Sequence, residues 1–415
     1  MDAPAPRPAL TEAARRRALA VILGTVVMNM IGVGLAWPIL PKLVQAMGSG
    51  TVSDAAAAYA VIGTIYAVAQ FLFSPLIGIV SDKYGRRPVM LVSLAGLTVD
   101  YIFAALAPTL IWLAFARLVG GIFGATVTTA NAYVTDISEP AERARIFGLI
   151  GAAFGAGFIL GPLLGGLLGE IDIRLPFIAA AVLGAVNLGF AFAFLPESLD
   201  EANRRRTPDW REANPLSSLR KIASFPALTP LLVALLLTAT AQRGLEGTWV
   251  LYTEFRFGWG LREAAWSLAF VGVMYVIVQG FLVGPIVRVI GDWPTVIAGF
   301  VVSCLSLALY GLAETGWMVY PLIALYVIGN GLGSPALTAI CSKSVDGDRQ
   351  GQLQGTLQAI NALAIIFGPL LASLVLAHVS APDPLVDVPG LWFIGGALVF
   401  ALSVGLAVRT APRPT

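Results

Sequence analysis

The dominant feature of the sequence is a series of twelve apolar stretches, each long enough for a helix that crosses a membrane. A bilayer core about 30 Å thick needs roughly 20 apolar helical residues per crossing. The sequence therefore predicts an all-α membrane protein with twelve transmembrane helices, numbered here as spans one to twelve. The predicted spans lie at 18–40, 56–80, 89–107, 110–134, 145–169, 175–195, 229–251, 264–287, 293–312, 317–341, 353–377 and 390–408.

The composition excludes several other classes of protein. Only 12% of the 415 residues are charged and 57% are hydrophobic, whereas a soluble chain carries about a quarter charged residues. The formal net charge is +2, and its basic residues form short clusters, so no nucleic-acid partner is expected. One histidine and two cysteines form no zinc-binding pattern. We therefore expect no metal and no cofactor.

The basic residues predict the orientation in the membrane. If the N-terminus lies inside, the cytoplasmic segments hold twenty Lys and Arg residues and the outer loops hold four, Lys42, Arg174, Arg256 and Arg262. Cytoplasmic loops carry an excess of basic residues. Both termini are therefore expected in the cytoplasm.

A hydrophilic stretch from Pro196 to Leu228 divides the chain near its middle. Eleven of its 33 residues are charged, which is typical of a solvated linker. The predicted organisation is a cytoplasmic N-terminus at 1–17, a six-helix bundle at 18–195, a cytoplasmic linker at 196–228, a second six-helix bundle at 229–408 and a cytoplasmic C-terminus at 409–415.

The two halves share an internal repeat at an offset of 206 or 207 residues. The matched residues fall at equivalent helix ends: Gly78, Gly85 and Pro88 match Gly284, Gly291 and Pro294, and Gly161–Leu164 matches Gly368–Leu371. Two six-helix halves repeated in the same orientation are an architecture of secondary transporters. We expect two pseudo-symmetric bundles with a central cavity.

Four charged residues fall inside predicted spans, where each costs about 2.5–3.5 kcal/mol on insertion scales. Asp100 has no charged neighbour along its own helix. Because desolvation disfavours an ionised carboxyl group, Asp100 is the candidate for reversible protonation. Arg117 either modulates that carboxyl group or ties two helices together. Arg243 and Glu246 are three residues apart on one helix face, so they form either a structural pair or a cavity-facing group.

Uncharged polar residues at membrane depth form a second group of candidates. Most such residues only bond a neighbouring helix, for about 1 kcal/mol. The polar residues are Asn29, Gln70, Asn131, Gln242, Gln279, Asn330 and Asn361. With Arg243 and Glu246, the candidates for the substrate cavity are Asn29, Gln70, Asn131, Tyr275, Gln279 and Asn361.

Two glycine-rich segments, 155–161 and 329–334, lack the Gly-Lys step of a phosphate-binding loop. They are interpreted as small faces that let helices approach closely. Without a nucleotide site, the energy for transport has to come from an ion or substrate gradient.

The loop after span two, Gly78-Ile-Val-Ser-Asp82-Lys-Tyr-Gly85-Arg86-Arg87-Pro88, resembles the signature of the major facilitator superfamily. The resemblance implies the major facilitator fold and a cytoplasmic gate built from Gly78, Asp82, Gly85, Arg86 and Arg87. Two glycines are expected to form a tight turn, with Asp82 accepting hydrogen bonds from a helix N-terminus.

Span five is similar to the motif of the drug:proton antiporters of that superfamily. The matching residues are Gly157, Gly161, Pro162, Gly165 and Gly166. Arg117 occupies the place of the span-four arginine that the family uses in proton transfer.

Four further segments resemble the tetracycline-efflux branch: Ser93–Tyr101, Ala132–Asp136, Glu142–Arg145 and Arg349–Gly355. By that resemblance Gln70, Asp100 and Gln279 match positions used for substrate and proton. Three residues depart from the branch. Asn29 and Ser303 stand where it carries aspartates, and Tyr275 stands where it carries a histidine.

These features predict a monomeric, proton-coupled exporter of a small amphipathic organic molecule, drug-like or of tetracycline type, that works by alternating access in the bacterial inner membrane. Asp100 would exchange protons, with Arg117 as its modulator. The expected partners are the substrate, protons and the lipid bilayer. The alternative is a proton-independent facilitator or importer of a small metabolite. No enzyme is expected, because His378 has no nucleophile pattern near it.

Overall fold

The computed structural model describes residues 12–48, 50–124, 126–139, 142–200, 204 and 225–412. Most of the predicted linker at 196–228, together with residues 1–11 and 413–415 of the predicted termini, lies outside the described residues. The side chains of Ala13, Ala144 and Asp348 are likewise not described.

Within these ranges, twelve helices are long and apolar enough to cross a membrane, and every regular element is helical. The predicted all-α, twelve-span fold is confirmed. In order, the spans are Glu12–Ala36 with Leu40–Met47, Val52–Tyr84, Arg86–Leu106, Leu110–Phe123 with Thr126–Ile137, Arg143–Ile171, Leu175–Phe194, Thr229–Phe257, Leu261–Ile277 with Val283–Ile290, Asp292–Leu312, Val319–Lys343, Gln350–Val379, and Leu391–Thr410. Short 3₁₀ turns at Pro226–Leu228, Gly316–Met318 and Gly347–Arg349 precede spans seven, ten and eleven.

Most spans extend a few residues beyond the predicted apolar stretches, because their polar ends continue the helix. Span eight is interrupted by a π turn at Val278–Leu282. This turn contains Gln279 and Gly280. Single π turns inside helices are rare and often occur at functional positions.

Spans three and nine begin in the same way. Each follows a glycine with positive φ, +104° at Gly85 and +84° at Gly291, a conformation that favours glycine because it lacks a Cβ. Each carries a proline in its first turn, Pro88 and Pro294, where no intrahelical N–H bond is lost. The repeat at an offset of 206 residues therefore extends to backbone conformation.

Contacts divide the chain into two compact units. Unit 1 holds Met1–Leu40 and Ile65–Pro215, and unit 2 holds Pro41–Thr64 and Leu216–Thr415. Residues 41–64 thus group with the C-terminal spans, although the predicted boundary assigns them to the first bundle. Two contacts within unit 2 account for this: Lys42 Nζ lies 2.6 Å from Glu254 Oε2, and the Ser53 hydroxyl donates to the Ala377 carbonyl at 2.6 Å.

Close contacts between small residues position the helices of unit 1. A Cβ added at Gly157, Gly161 or Gly165 would collide with Met30, Gly34 or Leu35 of span one. In a membrane, helices associate through such close packing rather than through a hydrophobic driving force. The interpretation of segment 155–161 as a close-packing face is confirmed.

Unit 2 shows the same close packing at glycine residues, at the corresponding positions. A Cβ at Gly368 on span eleven would lie 2.8 Å from the Arg243 Cβ and 2.9 Å from the Gly244 nitrogen on span seven. A Cβ at Gly329 would lie 2.6 Å from the Gly299 carbonyl oxygen, so segment 329–334 also faces a neighbouring helix closely. The contact at Gly368 therefore holds span eleven directly against the Cβ of Arg243 on span seven.

Candidate functional site

The loop between spans two and three contains one turn glycine rather than two. Gly85 has the positive φ of a turn, whereas Gly78 lies inside the helix Val52–Tyr84, and a Cβ added there would meet open space. The expectation that Gly78 forms part of the turn is wrong. The apolar second span simply continues as helix until Tyr84.

Arg86 forms ion pairs with two acidic residues at this end of unit 1. Its guanidinium lies 2.6 Å from Asp82 Oδ1 and 2.9 Å from Asp136 Oδ2. Its side chain and that of Asp136 are each only 11% exposed. The Arg87 guanidinium donates to the Phe192 carbonyl at 2.8 Å. Asp82, Arg86 and Asp136 therefore form a connected cluster on spans two, three and four of unit 1, and Arg87 contacts span six beside it.

The carboxylate at the N-terminus of span three belongs to Glu197, not to Asp82 as expected. Glu197 accepts the backbone N–H groups of Arg86 at 2.8 Å and Arg87 at 3.2 Å. Asp82 instead pairs with the Arg86 side chain, so the backbone N–H groups of Arg86 and Arg87 bind Glu197. A Cβ at Gly85 would collide with the Glu197 carboxylate, so glycine is required there for space as well as for φ. A carboxylate at this position is favoured by the helix dipole.

The antiporter-like motif of span five supplies packing rather than ligands in this structure. Gly157, Gly161 and Gly165 contact span one, and Pro162 and Gly166 are buried. Each unit contains one cluster of polar candidates at membrane depth.

The cluster in unit 1 contains Asp100 and Arg117. Arg117 Nη2 lies 2.5 Å from Asp100 Oδ1, and the two side chains are 8% and 1% exposed. The carboxylate rests against Gly120, where a Cβ would lie 3.1 Å or less from its oxygens. The Arg117 Nε is buried without a hydrogen-bond partner among the described residues. Removing one member of a buried ion pair costs about 3–5 kcal/mol, so the pair ties spans three and four together.

Gln70 joins the same helix face, since positions 117, 120, 121 and 124 lie on one side of span four. The Gln70 amide donates to the Gly124 carbonyl at 3.1 Å. Asn29 lies elsewhere in unit 1, beside a void of about 10 Å³ that Thr98 and Asn187 also line. The Asn131 side chain is half-buried and makes no hydrogen bond with the described residues. Asn29 and Asn131 therefore stand apart from the ion pair.

The cluster in unit 2 is centred on Glu246. One carboxylate oxygen accepts from the Gln242 amide at 2.9 Å, and the other accepts from Arg243 Nη1 at 2.9 Å. The second Arg243 nitrogen donates to Asn361 Oδ1 on span eleven at 3.4 Å. Both donors to Glu246 thus come from its own helix, one turn away, and Asn361 is joined to it through Arg243.

Span eight and span ten complete this cluster. The Gln242 amide also donates to the Tyr275 hydroxyl at 3.1 Å, and its oxygen accepts from Asn330 Nδ2 at 2.8 Å. Asn330 in turn lies 3.4 Å from the Tyr275 hydroxyl. Arg243 is 39% exposed and Glu246 is 16% exposed, so this cluster is more open than the pair in unit 1.

The sequence places Arg243, Glu246, Tyr275 and Asn361 in one predicted cavity but does not show that they touch. Gln242 and Asn330 are polar residues outside that predicted set, although the four-residue spacing of Gln242 and Glu246 signals a contact. Gln279, in the π turn, is exposed and makes no hydrogen bond with the described residues. It lies outside the Glu246 cluster.

Comparisons with known proteins agree with this architecture. The profile of the Major Facilitator Superfamily matches residues 22–369 and 280–415. The class C tetracycline resistance protein of Escherichia coli is 40% identical over 384 residues, which cover 92% of this chain and 94% of the relative. The class D tetracycline resistance protein of Salmonella ordonez is 35% identical and covers 95% of this chain and 97% of the relative.

Solved structures show the same fold. The human organic anion transporter MFSD10 (TETRAN) matches with a TM-score of 0.70 at 25% identity, covering 95% of this chain and 99% of that one. The nucleoside transporter NupG matches with a TM-score of 0.74 at 16% identity, covering 95% and 98%, and at that identity it supports the fold alone. The resemblances found in the sequence are confirmed. The chain is a multi-pass membrane transporter that belongs to the major facilitator superfamily.

Proposed function

We propose that this protein is a proton-coupled exporter of a small amphipathic organic compound of the tetracycline type. It would work as a monomer by alternating access in the bacterial inner membrane, with both termini in the cytoplasm. The observation that carries the proposal is the 40% identity with a tetracycline resistance protein over 92% of this chain.

Proton coupling needs a carboxyl group at membrane depth that can bind and release a proton. Two such groups are present in the described spans, Asp100 and Glu246. Each forms an ion pair with an arginine, Asp100 with Arg117 on the neighbouring span and Glu246 with Arg243 on its own span. Their presence in apolar helices supports coupling, because an intramembrane ionisable residue is a functional hypothesis by default.

The Arg86 cluster supports a gating role for the loop between spans two and three. One guanidinium is shared by two carboxylates, Asp82 and Asp136, at the cytoplasmic end predicted from the basic residues. Such a shared cation can exchange partners at little cost. We propose that this cluster is the cytoplasmic gate, in which Gly85 supplies the tight turn.

A proton-independent facilitator is the second candidate. It is favoured by the burial of Asp100, which is 1% exposed. It is also favoured by Asn29, Tyr275 and Ser303, neutral residues at positions where the tetracycline-efflux branch carries aspartates or a histidine. Ser303 is fully buried, and its hydroxyl donates to the Gly299 carbonyl.

Uptake of radiolabelled tetracycline into inverted membrane vesicles tests both candidates. A proton-coupled exporter accumulates the drug when respiration acidifies the vesicle interior, and an uncoupler abolishes accumulation. A facilitator equilibrates the drug at a rate that the uncoupler does not change. Vesicles without the protein provide the background, and absence of any transport above it would refute a tetracycline-type substrate.

A further inference from the structure

The two carboxyl groups at membrane depth differ in how much of each is accessible. The Asp100 side chain is 1% exposed and its partner Arg117 is 8% exposed. The Glu246 side chain is 16% exposed and its partner Arg243 is 39% exposed. A coupling proton has to reach its carboxylate through water, so exposure favours Glu246 as the exchanging group.

The Asp100–Arg117 and Glu246–Arg243 pairs also differ in what the arginine can bond to once its carboxylate is protonated. Arg117 has no second acceptor among the described residues, and its Nε is already buried without a partner. Neutral Asp100 would leave that guanidinium uncompensated. Arg243 already contacts a second acceptor, Asn361 Oδ1 at 3.4 Å. Protonation of Glu246 therefore leaves Arg243 with a hydrogen-bond partner on span eleven.

The internal repeat independently marks Asp100 as a packing position. At the offset of 206 residues, Asp100 on span three corresponds to Ser306 on span nine. Arg117 on span four likewise corresponds to Ile323 on span ten. The Ser306 hydroxyl donates to the carbonyl of Leu322, the residue before Ile323, at 2.9 Å and is fully buried. The same helix–helix contact is thus made by an ion pair in one half and by a neutral hydrogen bond in the other.

The groups that face Glu246 come from its own span and from spans eight and ten. The charged or titratable ones are Arg243 on its own helix, Tyr275 on span eight and Tyr326 on span ten, which interacts electrostatically with Glu246. The Tyr326 hydroxyl is buried without a hydrogen-bond partner among the described residues. The titratable residues of spans eleven and twelve, His378 and Arg409, lie in the last turns of those helices.

We infer that Glu246 is the group that binds and releases the coupling proton, and that Arg243 moves between Glu246 and Asn361 as it does so. In the loading step a proton from water bonds to a carboxylate oxygen of Glu246, and the Arg243 contact with that oxygen is given up in favour of Asn361. The reverse step returns the proton to water on the other side. This inference rests on the proposed proton-coupled export, and it assigns Asp100 a structural role.

The decisive variant is Glu246→Gln, which keeps the size of the side chain and an oxygen for Arg243 but cannot ionise. Two measurements are made in the same inverted vesicles. The first is accumulation of tetracycline driven by a pH gradient. The second is exchange of labelled for unlabelled tetracycline without any gradient, at acid and at alkaline pH.

For Glu246→Gln we expect gradient-driven accumulation to fall about tenfold or more, within the usual range of coupling factors. Gradient-free exchange persists and no longer depends on pH. Glu246→Asp restores part of the accumulation. Asp100→Asn is the comparison variant. It yields less folded protein, but the surviving fraction still accumulates tetracycline with the pH profile of the unmodified protein.

Accumulation by Glu246→Gln with unaltered uncoupler sensitivity and pH profile would overturn the inference. If Glu246→Gln is poorly produced, tetracycline-induced proton release from the purified proteins in detergent is measured with a pH dye. Release that equals that of the unmodified protein again overturns it, and loss of release supports it. Failure of the proposed function looks different, because the unmodified protein then shows no uncoupler-sensitive accumulation.

Discussion

Replacing Asp100 by Asn tests whether the buried ion pair holds spans three and four together. Asparagine has nearly the same shape, so the contact with Gly120 is preserved and the change removes mainly the charge. Because Asp100 is 1% exposed and lies 2.5 Å from Arg117, the substitution leaves a buried guanidinium without its counter-charge. We expect the free energy of unfolding to fall by about 3–5 kcal/mol.

Losing both charges is expected to lower the free energy of unfolding less than losing one charge. Arg117→Met alone leaves the Asp100 carboxyl group buried without its partner, whereas the double variant Asp100→Asn, Arg117→Met leaves neither charged group. The double variant should therefore be more stable than either single variant by at least about 1 kcal/mol, a coupling typical of groups in direct contact. The unmodified protein, the two single variants and the double variant form a double-mutant cycle. Equilibrium unfolding of the four purified proteins in mixed micelles measures it.

Additive effects in that cycle would refute the structural role of the pair. A second outcome would refute it as well. If Asp100→Asn unfolds like the unmodified protein yet loses gradient-driven transport, then Asp100 carries the proton and the ion pair is only one state of a moving carboxylate. Stability and transport measured on the same variant therefore separate the two roles.

Two further substitutions, each paired with a control substitution, test how the spans pack. Gly161→Leu should abolish a monodisperse folded peak in detergent, because the new side chain collides with the backbone of span one, whereas Gly189→Leu, with no neighbouring atom within 4 Å of the added Cβ, should leave the peak unchanged. Trp249→Phe removes the indole N–H bond to the Ser267 hydroxyl at 2.9 Å and should lower the unfolding free energy by about 0.5–1.5 kcal/mol. Trp317→Phe, at a 72% exposed position, should have no measurable effect, and equal losses in the two tryptophan variants would contradict the assignment.

The twelve spans could be predicted from the sequence because each is decided locally. An apolar stretch of about 20 residues has few alternatives to a transmembrane helix. The turn before span three was also predictable in part, since the glycine at 85 and the proline at 88 act through their own backbone conformation.

Contacts between spans could not be predicted in this way. Glu197 and not Asp82 receives the N-terminal N–H groups of span three, because the chain returns to this point 111 residues later. Hydropathy fixes where a helix crosses the membrane but not its rotation or depth, which depend on packing against its neighbours. The close-packing glycines of spans five and eleven were visible in the sequence, but their partners on spans one and seven were not.

The candidate site shows the same limit at the level of single residues. Asp100 and Glu246 look alike in the sequence, since each is a carboxylic acid inside an apolar helix. The local signal even favours Asp100, because Arg243 lies one turn from Glu246 and can pair with it along the same helix. What distinguishes the two is the second acceptor on another span, Asn361, which contacts Arg243 at 3.4 Å. A carboxylate can exchange protons at low cost only where its cation has somewhere else to bond, and that condition depends on tertiary structure alone.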